Sequence, residues 1–125
     1  MFTLALQRRF EAQHHLIGGD WGAENFPHSH SYLMELRLEG ETLNKYGYLT
    51  DLVDVEKHVD ELLERFRGAD LNSFAEFSGL NPSLEHFARI LGNAISKHFK
   101  ESRLSALTVR LWENDSAWAE YRQDL

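Results

Sequence analysis

Three histidines, His14, His28 and His30, have the residue type and spacing of a metal site built on two paired strands. His14 closes an alternating run that begins at Phe10, and His28 and His30 open a second alternating run. Strand residues two apart point to the same face, so His28 and His30 can reach one ion, and His14 joins them if the runs pair antiparallel. Three imidazoles with an open fourth position are typical of a catalytic zinc site. The alternative is three ordinary surface or loop histidines.

The composition predicts a single globular domain over residues 1–125. Its hydrophobic share of 42% and charged share of 26% are ordinary for a soluble protein. The formal charge of −7 argues against nucleic acid as a partner, because a phosphate backbone requires a basic face. We find neither a long apolar run nor a secretory signal, so no membrane partner is expected. The absence of cysteine excludes disulfides and thiol nucleophiles and fits a cytoplasmic location.

Sequence periodicity predicts six elements around the histidines. Four segments alternate as strands do, at about 3–12, 30–39, 106–112 and 118–122, and two have helical spacing, at about 52–66 and 84–98. Asp51 is the predicted N-cap of the first helix, and Asn81 that of the second, with Pro82 at its first helical position. The order β-β-α-α-β-β predicts an α+β fold in which two helices cover one face of a four-stranded antiparallel sheet. The other face would also need a cover, which favours an oligomer.

Short motifs follow one another along nearly the whole chain. They are Phe10 to His14 (F-x-A-x-H), His28 to His30 (H-x-H), Gly47 to Asp51 (G-hydrophobic-hydrophobic-x-D), Leu71-Asn72 (L-N), Pro82 to Glu85 (P-S-x-E) and Trp112-Glu113 with Tyr121 (E…Y). No single motif is specific. Together they resemble the 6-pyruvoyltetrahydropterin synthase and 6-carboxytetrahydropterin synthase family, whose H-G-H has glycine where this chain has Ser29.

The resemblance implies the tunnelling fold and a homohexamer of two stacked trimers, with active sites between subunits. It also implies that His14, His28 and His30 hold Zn²⁺. His15 is a rival for His14, but the register of F-x-A-x-H selects His14. The implied substrate is a small dihydropterin such as 7,8-dihydroneopterin triphosphate.

A binding site for the pterin ring is implied as well. Glu113 corresponds to the family's glutamate that grips the ring, since a carboxylate can accept from a ring N–H and the neighbouring exocyclic amine. The alternative for Glu113 is a solvated acid at a strand end. Pro82 and Ser83 would add backbone and hydroxyl contacts, although Ser83 is equally well explained as a residue that begins a helix.

The residues that transfer protons in the family are replaced in this chain. The position of the family's catalytic cysteine, four residues before H-x-H, is Glu24. Its aspartate-histidine pair before L-N falls on Arg67 and Gly68 if the segment aligns without a gap. Glu24 is therefore the candidate general base, with Asp70 or His15 as a second proton-transfer group. Arg67 could instead contact an anionic tail of the substrate.

Two hypotheses for function follow. In the first, the chain is a lyase of this family with altered acid–base residues; some relatives with glutamate in place of the cysteine cleave dihydroneopterin triphosphate to 6-hydroxymethyl-dihydropterin for folate synthesis. In the second, it is a non-catalytic module that binds zinc and a pterin or purine. The enzyme is favoured because an open zinc site, a heterocycle anchor and a replacement carboxylate occur together. The sequence leaves the pathway open.

Overall fold

The computed structural model describes residues 1–100 and 102–125, and the elements follow the order that the sequence predicts. They are β1 Phe2–His14, β2 His28–Gly40, α1 Leu52–Phe66, α2 Leu84–Ser96, β3 Ala106–Trp112 and β4 Trp118–Asp124. The strands form one antiparallel sheet in the order β1-β2-β3-β4. The predicted α+β architecture is therefore confirmed. No helix in the described ranges is long and apolar enough to cross a membrane.

Helix α1 begins and ends where its sequence signals lie. The Asp51 side chain accepts hydrogen bonds from the backbone N–H groups of Val53 and Asp54, which otherwise lack partners in the first turn. After the C-cap residue Arg67, Gly68 adopts a φ of +68°, the left-handed conformation that glycine tolerates best at a helix end. The predicted N-cap of this helix is confirmed.

Helix α2 begins later than predicted. Its N-cap is Ser83, whose hydroxyl accepts from the backbone N–H of His86, so the prediction that Asn81 caps the helix is wrong. The physical reason is that the Asn81 side chain is already used elsewhere. Its amide oxygen accepts from the backbone N–H of Ile17 at 2.7 Å, and its amide nitrogen donates to the carbonyl of Ile17 at 3.2 Å.

The two faces of the sheet differ in chemistry. On one face, even-numbered residues of β1 and β2 are buried under the helices together with odd-numbered residues of β3; examples are Phe10, Met34, Leu36, Leu38, Val109 and Leu111. The opposite face is polar. Arg37 pairs there with Glu35 and Glu120, and Arg110 also pairs with Glu120. These ion pairs balance charges on the open face within one chain, and the expectation that an oligomer covers this face stays a prediction.

An aromatic cluster lies beneath the histidine end of the sheet. The Tyr32 ring stacks on Phe10 at 5.3 Å between centroids and meets the edge of Phe87 at 5.4 Å. Phe66 of α1 and Phe77 also contact Phe87. All five side chains are at least 98% buried. Because close-packed rings allow few alternative rotamers, the cluster fixes the position of the Tyr32 hydroxyl.

Two asparagine side chains hold the segment that leaves β1. Asn72 bonds to both the N–H and the carbonyl of His15, as Asn81 does with Ile17. Each amide side chain thus makes the two hydrogen bonds that a neighbouring strand would make to this part of the backbone. Further along, Asn25 donates to the carbonyl of Leu16. The long connection between β1 and β2 is therefore tied to the body of the domain.

We expect the replacement of Asn81 by alanine to lower the free energy of unfolding by about 1–3 kcal/mol, because both polar groups of the Ile17 backbone lose a partly buried partner. Urea denaturation measures the change. Asn93→Ala is the matched control: its exposed side chain makes no hydrogen bond within the described structure, so its effect should stay within about 0.5 kcal/mol. Equal losses in both variants would contradict the role of Asn81.

Candidate metal centre

Strand register brings the three histidines together. His14, the last residue of β1, lies directly opposite His28, the first residue of β2, and His30 lies opposite Ala12. Both strands extend further toward the histidines than the alternation alone predicts. All three residues share the parity of the helix-covered face and lie at one end of the β1–β2 pair. One nitrogen from each ring lies within 4.8 Å of the others.

Each imidazole has a separate partner for its Nδ1 atom. For His14 this partner is the Tyr32 hydroxyl at 2.9 Å, and for His28 it is the carbonyl of Phe26 at 2.9 Å. His30 Nδ1 lies 3.9 Å from a carboxylate oxygen of Glu113. When the proton of each imidazole is on Nδ1, the Nε2 lone pair is available to a metal ion. In proteins, a contact from the nitrogen that does not bind the metal orients a metal-bound histidine.

The residues fit a metal ion. His30 Nε2 is buried and has no hydrogen-bond partner in the described structure, which is costly for a polar atom unless something else binds it. Three neutral imidazoles in a cluster are ligands that suit zinc and related transition metals. The unpartnered nitrogen and the donor set therefore support the interpretation that the sequence suggests.

Burial keeps the His14 imidazole neutral. Only 5% of this residue is exposed, and this burial, together with the neighbouring His30 and His28, lowers the pKa of His14 to about 4. The imidazole therefore stays unprotonated across the range in which cells work. Burial, with the charge of Glu113, also raises the pKa of the Tyr32 hydroxyl, so this group keeps its proton.

His15 does not belong to the cluster. Among the described residues, the group of side chains that could hold one ion consists of His14, His28 and His30. The backbone of His15 is held by Asn72, and its Nδ1 atom is buried without a partner. The register argument that selects His14 over His15 agrees with this geometry.

The two candidate proton-transfer residues, Glu24 and Asp70, belong to segments that each contact the chain near the end of β1. Glu24 is exposed in a 3-10 turn at Gly22–Asn25, and its backbone carbonyl accepts from Leu16 at 2.8 Å. Its carboxylate forms no ion pair or hydrogen bond with described residues. Asp70 forms a parallel bridge with Gln13, and its carboxylate accepts from the backbone of Asn72. Its charge also acts on the neighbouring His14.

The predicted substrate contacts lie in three places. Glu113 directly follows β3 and reaches the cluster through His30. Pro82 and Ser83 precede α2, where Pro82 is buried and Ser83 serves as the N-cap, in agreement with its alternative as a residue that begins a helix. Arg67 is exposed at the end of α1 and pairs with Glu64 at 3.1 Å.

Sequence reasoning missed two residues that position the centre. In the sequence, Tyr32 is only one residue of the second alternating segment, yet in the structure its hydroxyl contacts His14. The available signal was its place two residues after His30, on the same face, since a buried tyrosine hydroxyl needs a partner. Asn72 was noted in the L-N motif without a role. Nothing in the sequence indicates that its side chain reaches the backbone of His15, because that contact is 57 residues distant.

The fold and the cluster define an α+β domain with a candidate three-imidazole metal centre at one end of its sheet. The sequence profile described as 6-pyruvoyl tetrahydropterin synthase matches residues 3–124. The chain therefore belongs to the 6-pyruvoyl tetrahydropterin synthase family.

Individual relatives agree with this assignment. A protein of Archaeoglobus fulgidus, named provisionally as a 6-carboxy-5,6,7,8-tetrahydropterin synthase, is 27% identical over 96 residues, which cover 77% of this chain and 76% of that protein. The structure of 6-pyruvoyl tetrahydropterin synthase from Caenorhabditis elegans superposes with a TM-score of 0.82 at 21% identity, covering 98% of this chain and 96% of the other. The Plasmodium vivax synthase gives 0.77 at 14% identity over the full length of both chains. These structures share the tunnelling fold.

The stability of the metal-free protein should depend on pH through His14. The unfolded histidine binds a proton near its ordinary pKa of 6.5, whereas the folded one does so only at about 4. Between these values the unfolded state holds more protons, so stability falls as the pH drops from 6.5 toward 4. Urea denaturation with chelator present, at pH 7.5 and 4.5, should show a smaller loss for His14→Gln than for the unchanged chain. Equal losses would show that His14 is not a buried neutral imidazole.

Proposed function

We propose that this chain is a zinc-dependent lyase of the pterin synthase type, acting on a dihydropterin such as 7,8-dihydroneopterin triphosphate. The observation that carries the proposal is the cluster of three imidazoles with a buried, unpartnered His30 Nε2. His14, His28 and His30 would hold the ion. When bound, zinc would act as a Lewis acid that makes C–H and O–H groups of the pterin side chain more acidic.

Glu24 is the proposed general base. Its carboxylate is exposed and unpaired in the described structure, and the bond from Leu16 anchors its backbone two residues beyond His14. A nearby cation favours the charged, proton-accepting form of a carboxylate. For the Plasmodium vivax synthase, a variant with its glutamate changed to alanine is described as a catalytic-residue mutant. In the proposed reaction, Glu24 removes a proton from the pterin side chain, and Asp70 or His15 takes part in the second proton transfer.

Glu113 is the proposed anchor of the pterin ring. Its side chain is about one third exposed, and only one of its oxygens faces His30 Nδ1. A carboxylate with two oxygens can both orient this imidazole and accept from ring N–H groups. Pro82 and the N-cap residue Ser83 would provide further contacts to the ring, and Arg67 a contact to an anionic tail.

The assembly is part of the same proposal. A homohexamer of two trimers would place active sites between subunits, in a cytoplasmic protein. Strands β1 and β4 lie at the two edges of the sheet, and exposed edges are templates for pairing with another chain. Pairing between these edges would join the subunits, and such an assembly would also cover the open face of the sheet.

Two alternatives remain within this family. One is cleavage of the pterin side chain to give 6-hydroxymethyl-dihydropterin, which the glutamate at position 24 favours. The other is a non-catalytic module that binds zinc and a pterin or purine. Gly68 favours this second alternative if the segment aligns without a gap, because a residue without a side chain then stands at a family catalytic position and serves instead to end α1.

Zinc should bind with one ion per chain. His28→Ala should lower zinc affinity by more than about 100-fold. Loss of a residue that only hydrogen-bonds to a metal ligand typically lowers metal affinity by about 10–100-fold, and loss of a ligand itself costs more. Competition with a chromophoric chelator measures the affinity. His15→Ala is the matched control and should bind zinc as the unchanged chain does. A comparable loss in the His15 variant would exclude the proposed ligand set.

Turnover should depend on Glu24. We expect zinc-loaded protein to convert dihydroneopterin triphosphate, and Glu24→Gln to lower kcat by about 10²–10⁴-fold, because a positioned base contributes that much. Chromatography of the pterin products follows the reaction, and the product distinguishes synthase chemistry from side-chain cleavage. Glu41→Gln is the control, since Glu41 follows the opposite end of β2 from His28.

Three other outcomes would change the conclusion. Unchanged substrate, with pterin binding that is lost in Glu113→Ala, would support the binding module instead of the enzyme. Full activity in Glu24→Gln would show that Glu24 is not the general base. A metal-free preparation that reacts and binds as well as the zinc form would contradict both hypotheses.

A further inference from the structure

The loop that carries Glu24 has no apolar core of its own. Residues 18–27 are all exposed except Asn25, which is half-buried. The two large aromatic side chains of this stretch, Trp21 and Phe26, are 43% and 70% exposed. Because little apolar surface is buried here, hydrophobic packing contributes little to the conformation of the loop. Hydrogen bonds must therefore determine where its backbone, and with it Glu24, lies.

The side chain of Asn25 makes three hydrogen bonds to the backbone of this loop. Its amide oxygen accepts from the N–H of Trp21 at 2.7 Å. Its amide nitrogen donates to the carbonyl of Gly19 at 2.9 Å and to that of Leu16 at 3.2 Å. One acceptor and two donors are what a carboxamide offers. An aspartate of the same shape lacks the donors and would place a negative charge against two carbonyl oxygens.

Both backbone groups of Glu24 bond to residues that Asn25 holds. The Glu24 N–H donates to the carbonyl of Trp21 at 3.3 Å, and the N–H of Trp21 is bound by Asn25. The Glu24 carbonyl accepts from the N–H of Leu16 at 2.8 Å, and the carbonyl of Leu16 is bound by Asn25. The Asn25 amide is therefore linked to the Glu24 backbone by two separate routes, one through Trp21 and one through Leu16.

Leu16 connects this arrangement to the body of the domain. The backbones of its neighbours, His15 and Ile17, are bound by the side chains of Asn72 and Asn81. In an extended backbone, successive residues direct their polar groups to opposite sides. The N–H and the carbonyl of Leu16 are therefore left for the loop, and both are used there. Because its neighbours are held, Leu16 is a fixed attachment point for the loop.

The position of the Glu24 carboxylate depends on this backbone. The carboxylate is exposed and forms no ion pair or hydrogen bond with the described residues, so no contact of its own holds it in place. A catalytic group that is free to move spends only part of its time in the reactive geometry. A displacement of about 1 Å can lower a rate by about 100-fold.

We propose that Asn25 is the positioning residue for Glu24. Its amide fixes the loop backbone, so that the Glu24 carboxylate keeps one place relative to the histidine cluster. The effect of Asn25 on catalysis rests on the proposed function, in which Glu24 is the general base. In the described structure, the Asn25 side chain bonds only to the backbone of this loop and of Leu16, so it acts on the reaction through Glu24.

Steady-state kinetics of the full-length protein at saturating zinc test the effect on catalysis. Asn25→Ala and Asn25→Asp should each lower kcat for dihydroneopterin triphosphate by about 10–100-fold, because the base is displaced. KM should change by less than about threefold, since the residues proposed to bind the pterin lie outside this loop. In a Glu24→Gln background, Asn25→Ala should lower kcat by less than about twofold more, because the effects of residues that act as one unit are not additive.

Asn44→Ala is the matched control. The Asn44 amide oxygen accepts from the backbone N–H groups of Tyr46 and Tyr48, so this side chain also holds a loop. That loop follows the opposite end of β2 from His28. The variant should keep the kcat of the unchanged protein. An equal loss of kcat in Asn25→Ala and Asn44→Ala would indicate a general effect of weakened loops and would overturn the proposal.

Amide hydrogen exchange, followed by NMR, tests the positioning without turnover. The Leu16 N–H bonds to the Glu24 carbonyl and not to Asn25, so its exchange rate reports on the backbone of Glu24. We expect Asn25→Ala to accelerate this exchange by about tenfold or more, and Asn44→Ala to leave it unchanged.

The two measurements separate failure of this proposal from failure of the proposed function. Unchanged exchange of Leu16 in Asn25→Ala overturns the proposal. So does an undiminished kcat in Asn25→Ala when Glu24→Gln is impaired, or a full further loss of kcat in the Glu24→Gln background. If the unchanged protein is inactive while Asn25→Ala accelerates the exchange, the enzyme is refuted, and the role of Asn25 in fixing Glu24 is kept.

Discussion

The register of β1 against β2 is the constraint on which both the core and the candidate metal centre depend. His14 and His28 face each other because Phe10 faces Tyr32, and every pair between them follows from the same antiparallel alignment. A shift by one residue would turn the apolar side chains of one strand to solvent and separate the histidines. Hydrophobic burial therefore also positions the three histidines, because the core residues and the histidines have the same strand parity.

Polar contacts hold the candidate metal centre next to the buried aromatic cluster. The packed aromatic rings fix Tyr32, the Tyr32 hydroxyl contacts His14, and burial keeps His14 neutral. On the loop side, Asn72 and Asn81 take the place of a neighbouring strand for the backbone that follows His14. The three histidines thus lie on paired strands, while Glu24 lies in the connection between β1 and β2.

Most of the fold follows from local sequence signals. Periodicity gives α1 and β3 with their observed bounds, and the capping role of Asp51 is also local. The start of α2 could not be predicted, because Asn81 is engaged by Ile17, 64 residues earlier in the chain. The ion pair between Arg37 and Glu120 could not be predicted either, because alternation reports which residues share a face but not how they pair across strands. Similarly, the spacing of the histidines predicts the cluster, whereas the partner of each Nδ1 atom depends on tertiary contacts.

The central claim is that His14, His28 and His30 bind one metal ion through their Nε2 atoms. The most direct measurement is anomalous diffraction at the zinc absorption edge from a crystal of the zinc-loaded protein. We expect one peak per chain, about 2.0–2.1 Å from the Nε2 atoms of all three histidines, with a fourth position open to solvent or ligand. A peak elsewhere, coordination through Nδ1, or a site that includes His15 in place of His14 would contradict the account.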